Sequence, residues 1–129
     1  MRDITGAASV IRNVRPLRTT MNLQLHYDKI YVGDITDAFC DQATWFGSFQ
    51  SQLDFGADVL HKRLHDFIVF CEDWHRRLVA GIGGDASEFD QFRDLLTSGL
   101  WFTLSSDAAV SKIDEAPSFT GGELSWRIV

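Results

Sequence analysis

The stretch between Ala57 and Ala80 most constrains the fold, because its apolar residues recur at steps of three and four. This spacing follows the 3.6-residue period of an α-helix and places the apolar side chains on one face. The repeating positions are Leu60, Leu64, Phe67, Cys71, Trp74 and Leu78. Gly81 follows at a position where a residue with positive φ commonly ends a helix. The sequence therefore predicts one long amphipathic helix whose apolar face packs against another element.

The segments on either side of this helix alternate apolar and polar residues, which is typical of half-buried strands. We predict strands at 22–27, 30–39 and 44–53, then a second, shorter helix at 87–97, then strands at 100–104, 110–113 and 123–129. The links between the first three strands are too short for a parallel crossover. The order β-β-β-α-α-β-β-β predicts an α+β fold with a single antiparallel sheet of about five to six strands and the long helix packed on one face.

The charge of the chain is unevenly distributed. The 129 residues, about the length of one domain, carry 18 acids and 12 bases and a net charge of −6. Residues 1–21 have a net charge of +3, while residues 22–129 contain eight bases and seventeen acids, a net charge of −9. The charged residues of the first segment are Arg2, Asp3, Arg12, Arg15 and Arg18. We therefore divide the chain into a basic N-terminal arm, 1–21, and a single α+β domain, 22–129.

The basic arm has three interpretations. It is a translated stretch ahead of a start at Met21, a basic arm that packs on the acidic body of this chain or of a partner, or a targeting peptide. The third is disfavoured, because the segment lacks an apolar core and Pro16 interrupts any amphipathic helix. The first two stay open.

Composition excludes several classes of protein. Sixteen aromatic residues argue against disorder, and no stretch approaches the ~18 apolar residues of a membrane span. The acid excess argues against nucleic-acid binding, which needs surplus Lys and Arg. Cys40 and Cys71 form no CxxC pair and indicate a reducing, cytoplasmic setting. The segment Gly81–Asp85 lacks the lysine of a phosphate loop, so we expect no cofactor.

The candidate chemical sites are weak. His61 and His65 have the spacing of two metal ligands on a helix, but HKRLH lacks the glutamate of HExxH and no third ligand is within reach on the same helix. We therefore expect no metal. Cys71 and His75 have the spacing of a thiol–imidazole pair, but burial on the apolar face would keep the thiol protonated. The sequence identifies no catalytic residues.

The strongest candidates for an interaction surface are aromatic and acidic. Trp45 and Trp101 each precede a phenylalanine, so each pair places one large ring on each face of the sheet. Asp34 and Asp37 contribute to an excess of carboxylates around the first three strands. Aromatic rings exposed together on one face would mark a contact surface or a ligand groove.

We therefore expect a non-catalytic, acidic binding domain that contacts a protein partner. Self-association as a homodimer is the simplest form, with the basic arm of one subunit on the acidic body of another. An immunity-like or inhibitor-like protein that blocks a basic partner would have the same composition. The alternative is a small enzyme or small-molecule-binding protein with a pocket between sheet and helices.

Overall fold

The computed structural model describes residues 19–54 and 56–129. Residues 1–18, which form most of the basic arm, lie outside this described part, so the interpretations of the arm stay predictions. Within the described part, no helix is long and apolar enough to cross a membrane.

The described chain forms seven strands and two helices joined by a 3-10 segment. The strands are β1 Met21–Tyr27, β2 Ile30–Asp41, β3 Thr44–Ser51, β4 Trp101–Ser105, β5 Val110–Lys112, β6 Ser118–Thr120 and β7 Glu123–Trp126. The helices are α1 Val59–Val79 and α2 Arg93–Thr97, and the 3-10 segment Ala86–Phe92 leads directly into α2. Most bounds fall within two residues of the sequence-based ones.

The strands form one antiparallel sheet in the order β5-β4-β1-β2-β3-β7-β6. The predicted α+β class, single sheet, long helix and short helix are confirmed. The strand count is seven rather than five to six, because Ser118–Thr120 forms a strand directly after Pro117. A proline usually marks a break in a strand, so the sequence does not indicate a strand that begins directly after one.

The two ends of the sheet are joined beyond β5 and β7. Ile113 pairs with Ile128, the amide of Asp114 donates to Arg127 O at 2.7 Å, and the amide of Val129 donates to Lys112 O at 3.0 Å. The amide of Ile113 also donates to Trp101 O on β4 at 3.0 Å. Residues 112–114 therefore lie between β4 and the continuation of β7, and the sheet closes on itself.

The closed sheet has an apolar inner face and a polar outer face. Along β1, Leu23, Leu25 and Tyr27 are buried on the inner face, while Gln24 and His26 project from the outer one. This alternation places the apolar half of each strand toward one enclosed core.

Helix α1 packs on the inner face at one end of the sheet. Asp58 caps the helix by accepting from the His61 amide, and Leu64, Phe67, Ile68 and Cys71 are its buried residues. The ring of Phe67 lies 6.0 Å from that of Trp101 and 6.1 Å from that of Phe119. The packed face ends before the last turn, because Leu78 is 53% exposed.

Candidate functional site: a polar groove on the outer face of the sheet

The main concave surface lies on the outer face of β1 to β4 and encloses about 730 Å³. We call it the outer groove. Its outward-facing residues are Asn22 and Gln24 on β1, Asp34 and Thr36 on β2, Ser48 and Gln50 on β3, and Leu104 on β4. Strand register aligns them in rows: Leu104, Gln24, Asp34 and Gln50 are consecutive cross-strand partners. The groove therefore presents amide, hydroxyl and carboxylate groups, and its apolar lining comes from Leu23, Ile35, Phe49, Leu104 and Ala108.

Asp34 provides the negative charge at the centre of this row. Its carboxylate accepts a short hydrogen bond from the hydroxyl of Tyr31 and a longer one, 3.4 Å, from Nε2 of Gln52. Lost hydration, the bond to Asp34 and that carboxylate's charge together raise the pKa of Tyr31 to about 12. Tyr31 therefore stays protonated at neutral pH and remains a donor that holds Asp34 in place.

Aromatic rings border the groove. The imidazole of His26 stacks on the ring of Phe102 at 5.0 Å with planes 8° apart, and lies 5.5 Å from the ring of Tyr31. Its Nε2 lies 3.1 Å from Oε1 of Gln24. Partial burial lowers the pKa of His26, which favours the neutral imidazole at pH 7. The row Phe102, His26 and Tyr31 thus offers flat, uncharged contact area beside Asp34.

Asp37 lies at an irregularity in β2. Its φ is 55°, and the register between β2 and β3 shifts between Thr36 and Phe39. Its amide donates to Oδ1 of Asn22, a groove residue, at 3.3 Å. The bulge interrupts the strict alternation by which Asp34 and Asp37 would point to opposite faces. Both predicted acids are therefore tied to residues of the outer groove or its edge.

The two predicted tryptophans occupy different places on the inner face. Trp45 is partly buried and stacks on Trp126 at 5.9 Å. Trp101 is fully buried, and its Nε1 donates to Leu95 O at 2.8 Å. Trp101 therefore supports the core and does not contact the surface. The outward ring of each predicted pair is the phenylalanine: Phe46 is 37% exposed and stacks on Phe39, and Phe102 stacks on His26.

The two histidines on α1 do not gather a third ligand. His61 contacts the helix cap, with Nδ1 2.8 Å from Oδ1 of Asp58. Among the described residues, no group of three or more His, Cys, Asp or Glu side chains is placed to hold a metal ion. The geometry thus gives His61 and His65 no support as a metal site.

Negative charge is concentrated on the sheet. We define the sheet half as residues 19–54 and 98–129, and the helix half as residues 56–97. The sheet half contains nine acids and three bases, a net charge of −6, whereas the helix half contains eight acids and five bases. All ion pairs between described residues lie in the helix half. Together they involve all five Lys and Arg residues of that half. None of the nine acids of the sheet half forms an ion pair with another described residue.

A smaller cavity of about 360 Å³ lies between α1, the 3-10 segment and β6. We call it the helix cavity; Cys71, Trp74, His75 and Phe119 are among its lining residues. Burial raises the pKa of the Cys71 thiol to about 12, so the thiol stays protonated and is a poor nucleophile. The cavity has the apolar character of a small-molecule pocket.

Sequence reasoning identified Asp34 and Asp37 but missed the polar residues Gln24 and Gln50 on the same row. Alternation in each strand showed that these side chains face outward, but only the strand order brings them together. Comparison with protein-family models, with curated proteins and with solved structures finds no match to this chain.

Proposed function

We propose that this chain is a non-catalytic, cytoplasmic interaction domain that binds a positively charged protein segment in its outer groove. We further propose that this segment is the basic arm of a second copy, which gives a homodimer. The observation that carries the proposal is the charge separation: the sheet half has a net charge of −6, and all described ion pairs lie elsewhere.

The chemistry of the groove suits an extended, arginine-bearing segment. Gln24, Gln50, Thr36 and Ser48 offer side-chain donors and acceptors along neighbouring strands. Asp34 offers an oriented carboxylate, and a guanidinium can bind a carboxylate through two parallel hydrogen bonds. The neutral ring stack of His26 and Phe102 provides a flat surface on which a guanidinium can also pack.

The arm has the matching charge. Residues 1–21 have a net charge of +3, carried by arginines. Complementary charges of this kind raise association rates and fix orientation more than they raise affinity. Because the arm leads into β1 at Met21, reciprocal exchange of arms would produce two identical contacts, as twofold symmetry requires.

Light scattering on the full chain tests self-association. We expect a dimer at about 0.1 M salt that weakens at about 1 M, because the Debye length falls from ~10 Å to ~3 Å. The groove variant D34N/E123Q removes the carboxylate of Asp34 and that of Glu123 on β7, which is the cross-strand partner of the groove residue Ser48. This variant and the arm variant R12Q/R15Q/R18Q should each be monomeric. D66N/E72Q is the matched control, because it removes the same charge as the groove variant from the helix half, and it should behave as wild type.

Mixing the two variants separates a specific contact from general charge effects. The arm variant keeps an intact groove and the groove variant keeps an intact arm, so their mixture should form a heterodimer with one restored contact. A monomer under all conditions would refute self-association. In that case, binding of a synthetic peptide of residues 1–21 to wild type but not to D34N/E123Q would still support a groove for basic partners, as in an inhibitor-like protein.

The helix cavity favours one alternative, a small-molecule-binding protein with a pocket between sheet and helices. Its volume of about 360 Å³ is within the range of small-molecule sites, and apolar and aromatic side chains form much of its lining. If this alternative holds, an apolar ligand soaked into the protein should protect Cys71 from slow thiol labelling. A ligand that leaves the labelling rate unchanged would remove the alternative.

A further inference from the structure

The apolar face of α1 is packed along only part of its length. Its buried residues extend from Leu64 to Cys71, whereas Trp74 is partly exposed and Leu78 is 53% exposed. Both residues belong to the repeating apolar positions of the helix, and both line the helix cavity. The last two of these positions therefore leave apolar surface open to the cavity, where a bound molecule can reach it.

The accessible side chains of the cavity come from three parts of the fold. Trp74 and Leu78 belong to α1, Phe89 to the 3-10 segment, Leu96 to α2 and Ala116 to the loop between β5 and β6, and each is at least partly exposed. The rings of Trp74 and Phe89 pack edge to face with centroids 4.7 Å apart. The volume of about 360 Å³ is more than twice the ~150 Å³ of an apolar cavity that holds benzene, so a chain of about eight carbons has room.

The charge at the cavity favours a cation. Glu115 is exposed, and within the described part of the chain it is the only acid of the lining, which contains no Lys or Arg. The backbone on either side of it is held in place, because the amide of Asp114 donates to Arg127 O at 2.7 Å and Pro117 is buried. A carboxylate at the cavity attracts a cationic head group and repels an anionic one.

We propose that the helix cavity binds an amphiphilic amine, whose apolar body contacts Trp74, Leu78 and Phe89 and whose ammonium group lies near Glu115. The proposal gives a ligand class to the small-molecule alternative described above, on which it rests. It does not involve the outer groove, so it is independent of the contact with a basic protein segment.

Octylammonium, octan-1-ol and octanoate are matched probes, because they share a chain and differ in the charge of the head group. We would titrate each into the full chain at pH 8 and measure affinity by calorimetry. Octylammonium should bind about two- to fivefold more tightly than octanol, as a solvent-exposed charge pair implies, and octanoate should bind more weakly than octanol. Hexylammonium should bind about tenfold more weakly than octylammonium, because it buries two fewer methylene groups.

Labelling with ¹⁵N locates the bound probe through the four tryptophan indole N–H signals. Octylammonium should shift the signal of Trp74 and leave those of Trp45 and Trp126 unchanged, because these two rings stack on each other between β3 and β7. Shifts confined to Trp45 and Trp126 would overturn the proposal, since they would place the probe elsewhere. Equal affinities of hexylammonium and octylammonium would also overturn it, because the chain would then not be buried.

Two pairs of variants test the apolar wall and the charge separately. Leu78→Ser should weaken octylammonium binding by about threefold or more, whereas Val79→Ser changes a 74% exposed neighbour outside the lining and should have no effect. Glu115→Gln should lower octylammonium affinity to that of octanol and leave octanol binding unchanged. The groove variant D34N/E123Q removes two carboxylates that do not line the cavity, and it should keep the wild-type preference for the amine.

The failure of this proposal and the failure of the alternative on which it rests have different signatures. Octanol that binds wild type as tightly as octylammonium, or a preference for the amine that persists in Glu115→Gln, would overturn the amine class and keep the cavity as a small-molecule site. Absence of binding by all of the probes at millimolar concentration would overturn both.

Discussion

Gly33 has no side chain at a position where β2 and β3 approach each other closely. It lies on β2 opposite Ser51 of β3, next to the shift in register between β1 and β2. A Cβ at this position would lie 2.6 Å and 2.7 Å from two ring carbons of Phe49 and would also meet the carbonyl oxygen of Gln50. A backbone oxygen cannot move away without breaking the ladder, so only glycine fits here.

We expect Gly33→Ala to lower the free energy of unfolding by ~1–3 kcal/mol, the usual cost of overpacking. Urea denaturation measures the change. Gly56→Ala is the matched control, because its Cβ would lie 3.5 Å from the nearest atom outside its chain neighbours, Oδ1 of Asp54, and it should change stability by less than ~0.5 kcal/mol. Equal effects of the two substitutions would contradict the close approach of β2 and β3.

The two cysteines should differ in reactivity. Cys40 is exposed, whereas Cys71 is buried and has a pKa raised to about 12. Because the thiolate is the reactive form, Cys71 should resist alkylation at pH 8 while Cys40 reacts. Mass spectrometry should therefore find one labelled thiol in the native protein and two in denaturant. The Cys40→Ser variant should stay unlabelled while it is folded. Rapid labelling of the folded variant would show that Cys71 is accessible.

Among the elements, α1 contributes most of its packing through one ring. Phe67 is fully buried and lies within 5.3 Å, 6.0 Å and 6.1 Å of the rings of Phe92, Trp101 and Phe119, respectively. We expect Phe67→Ala to cost ~3–5 kcal/mol, because the cavity it leaves is enclosed by rings that cannot all collapse into it. Val69→Ala on the same helix removes a residue that is 49% exposed, and calorimetry should show a far smaller change. Similar losses would mean that the helix buries a different face.

The N-terminus of α1 should respond to pH through Asp58. Hydrogen bonds from the amide and then the side chain of His61 lower the pKa of this carboxyl below its ordinary value of 3.8. A lowered pKa in the folded state means that the stabilisation is present above 3.8 and is lost as pH falls through the folded-state value. Asp58→Ala should therefore lower Tm at pH 7, and the difference from wild type should shrink as the pH falls below 3.8. A constant difference across this range would rule out the charged cap.

The elements could be predicted from the sequence wherever a period repeats often enough to be seen. Helix α1 and strands β1 to β3 show their spacing over whole segments, and their bounds differ little from the predicted ones. Strand β6 follows a proline directly and has no predicted counterpart. The predicted helix 87–97 begins as a 3-10 segment, a helix type that is common at helix N-termini and that the apolar pattern does not distinguish from an α-helix. The outer groove depends on strand register. Gln24 and Asp34 become cross-strand partners because of one bulge in β2. A shift of the pairing by one residue would turn the outward-facing side chains of a strand to the inner face.

At the scale of the whole molecule, the fold sorts charges that are mixed along the chain. Acids and bases of residues 56–97 pair within the helix half, for example Arg77 with Glu88 at 2.8 Å. The nine acids of the sheet half come from segments on both sides of this one in the sequence, and folding joins those segments in one sheet. The sequence therefore showed a basic arm and an acidic body, but it did not show that the acidity belongs mainly to the sheet. We assign the proposed contact of the basic arm to the sheet half because of this separation of charge.

The closure of the sheet can be tested by deleting the C-terminal residues that complete it. The ends of the sheet are held by the amides of Asp114 and Val129, which donate to Arg127 O and Lys112 O. Deleting residues 127–129 removes both hydrogen bonds while leaving β7 intact through Trp126, and should cost ~1–3 kcal/mol at ~0.5–1.5 kcal/mol per bond. The amide of Asp114 should also lose its protection from hydrogen exchange. Arg127→Ala is the control, because it keeps the accepting carbonyl, and it should preserve both stability and protection. Unchanged exchange at Asp114 in the truncated chain would mean that the sheet is open in solution.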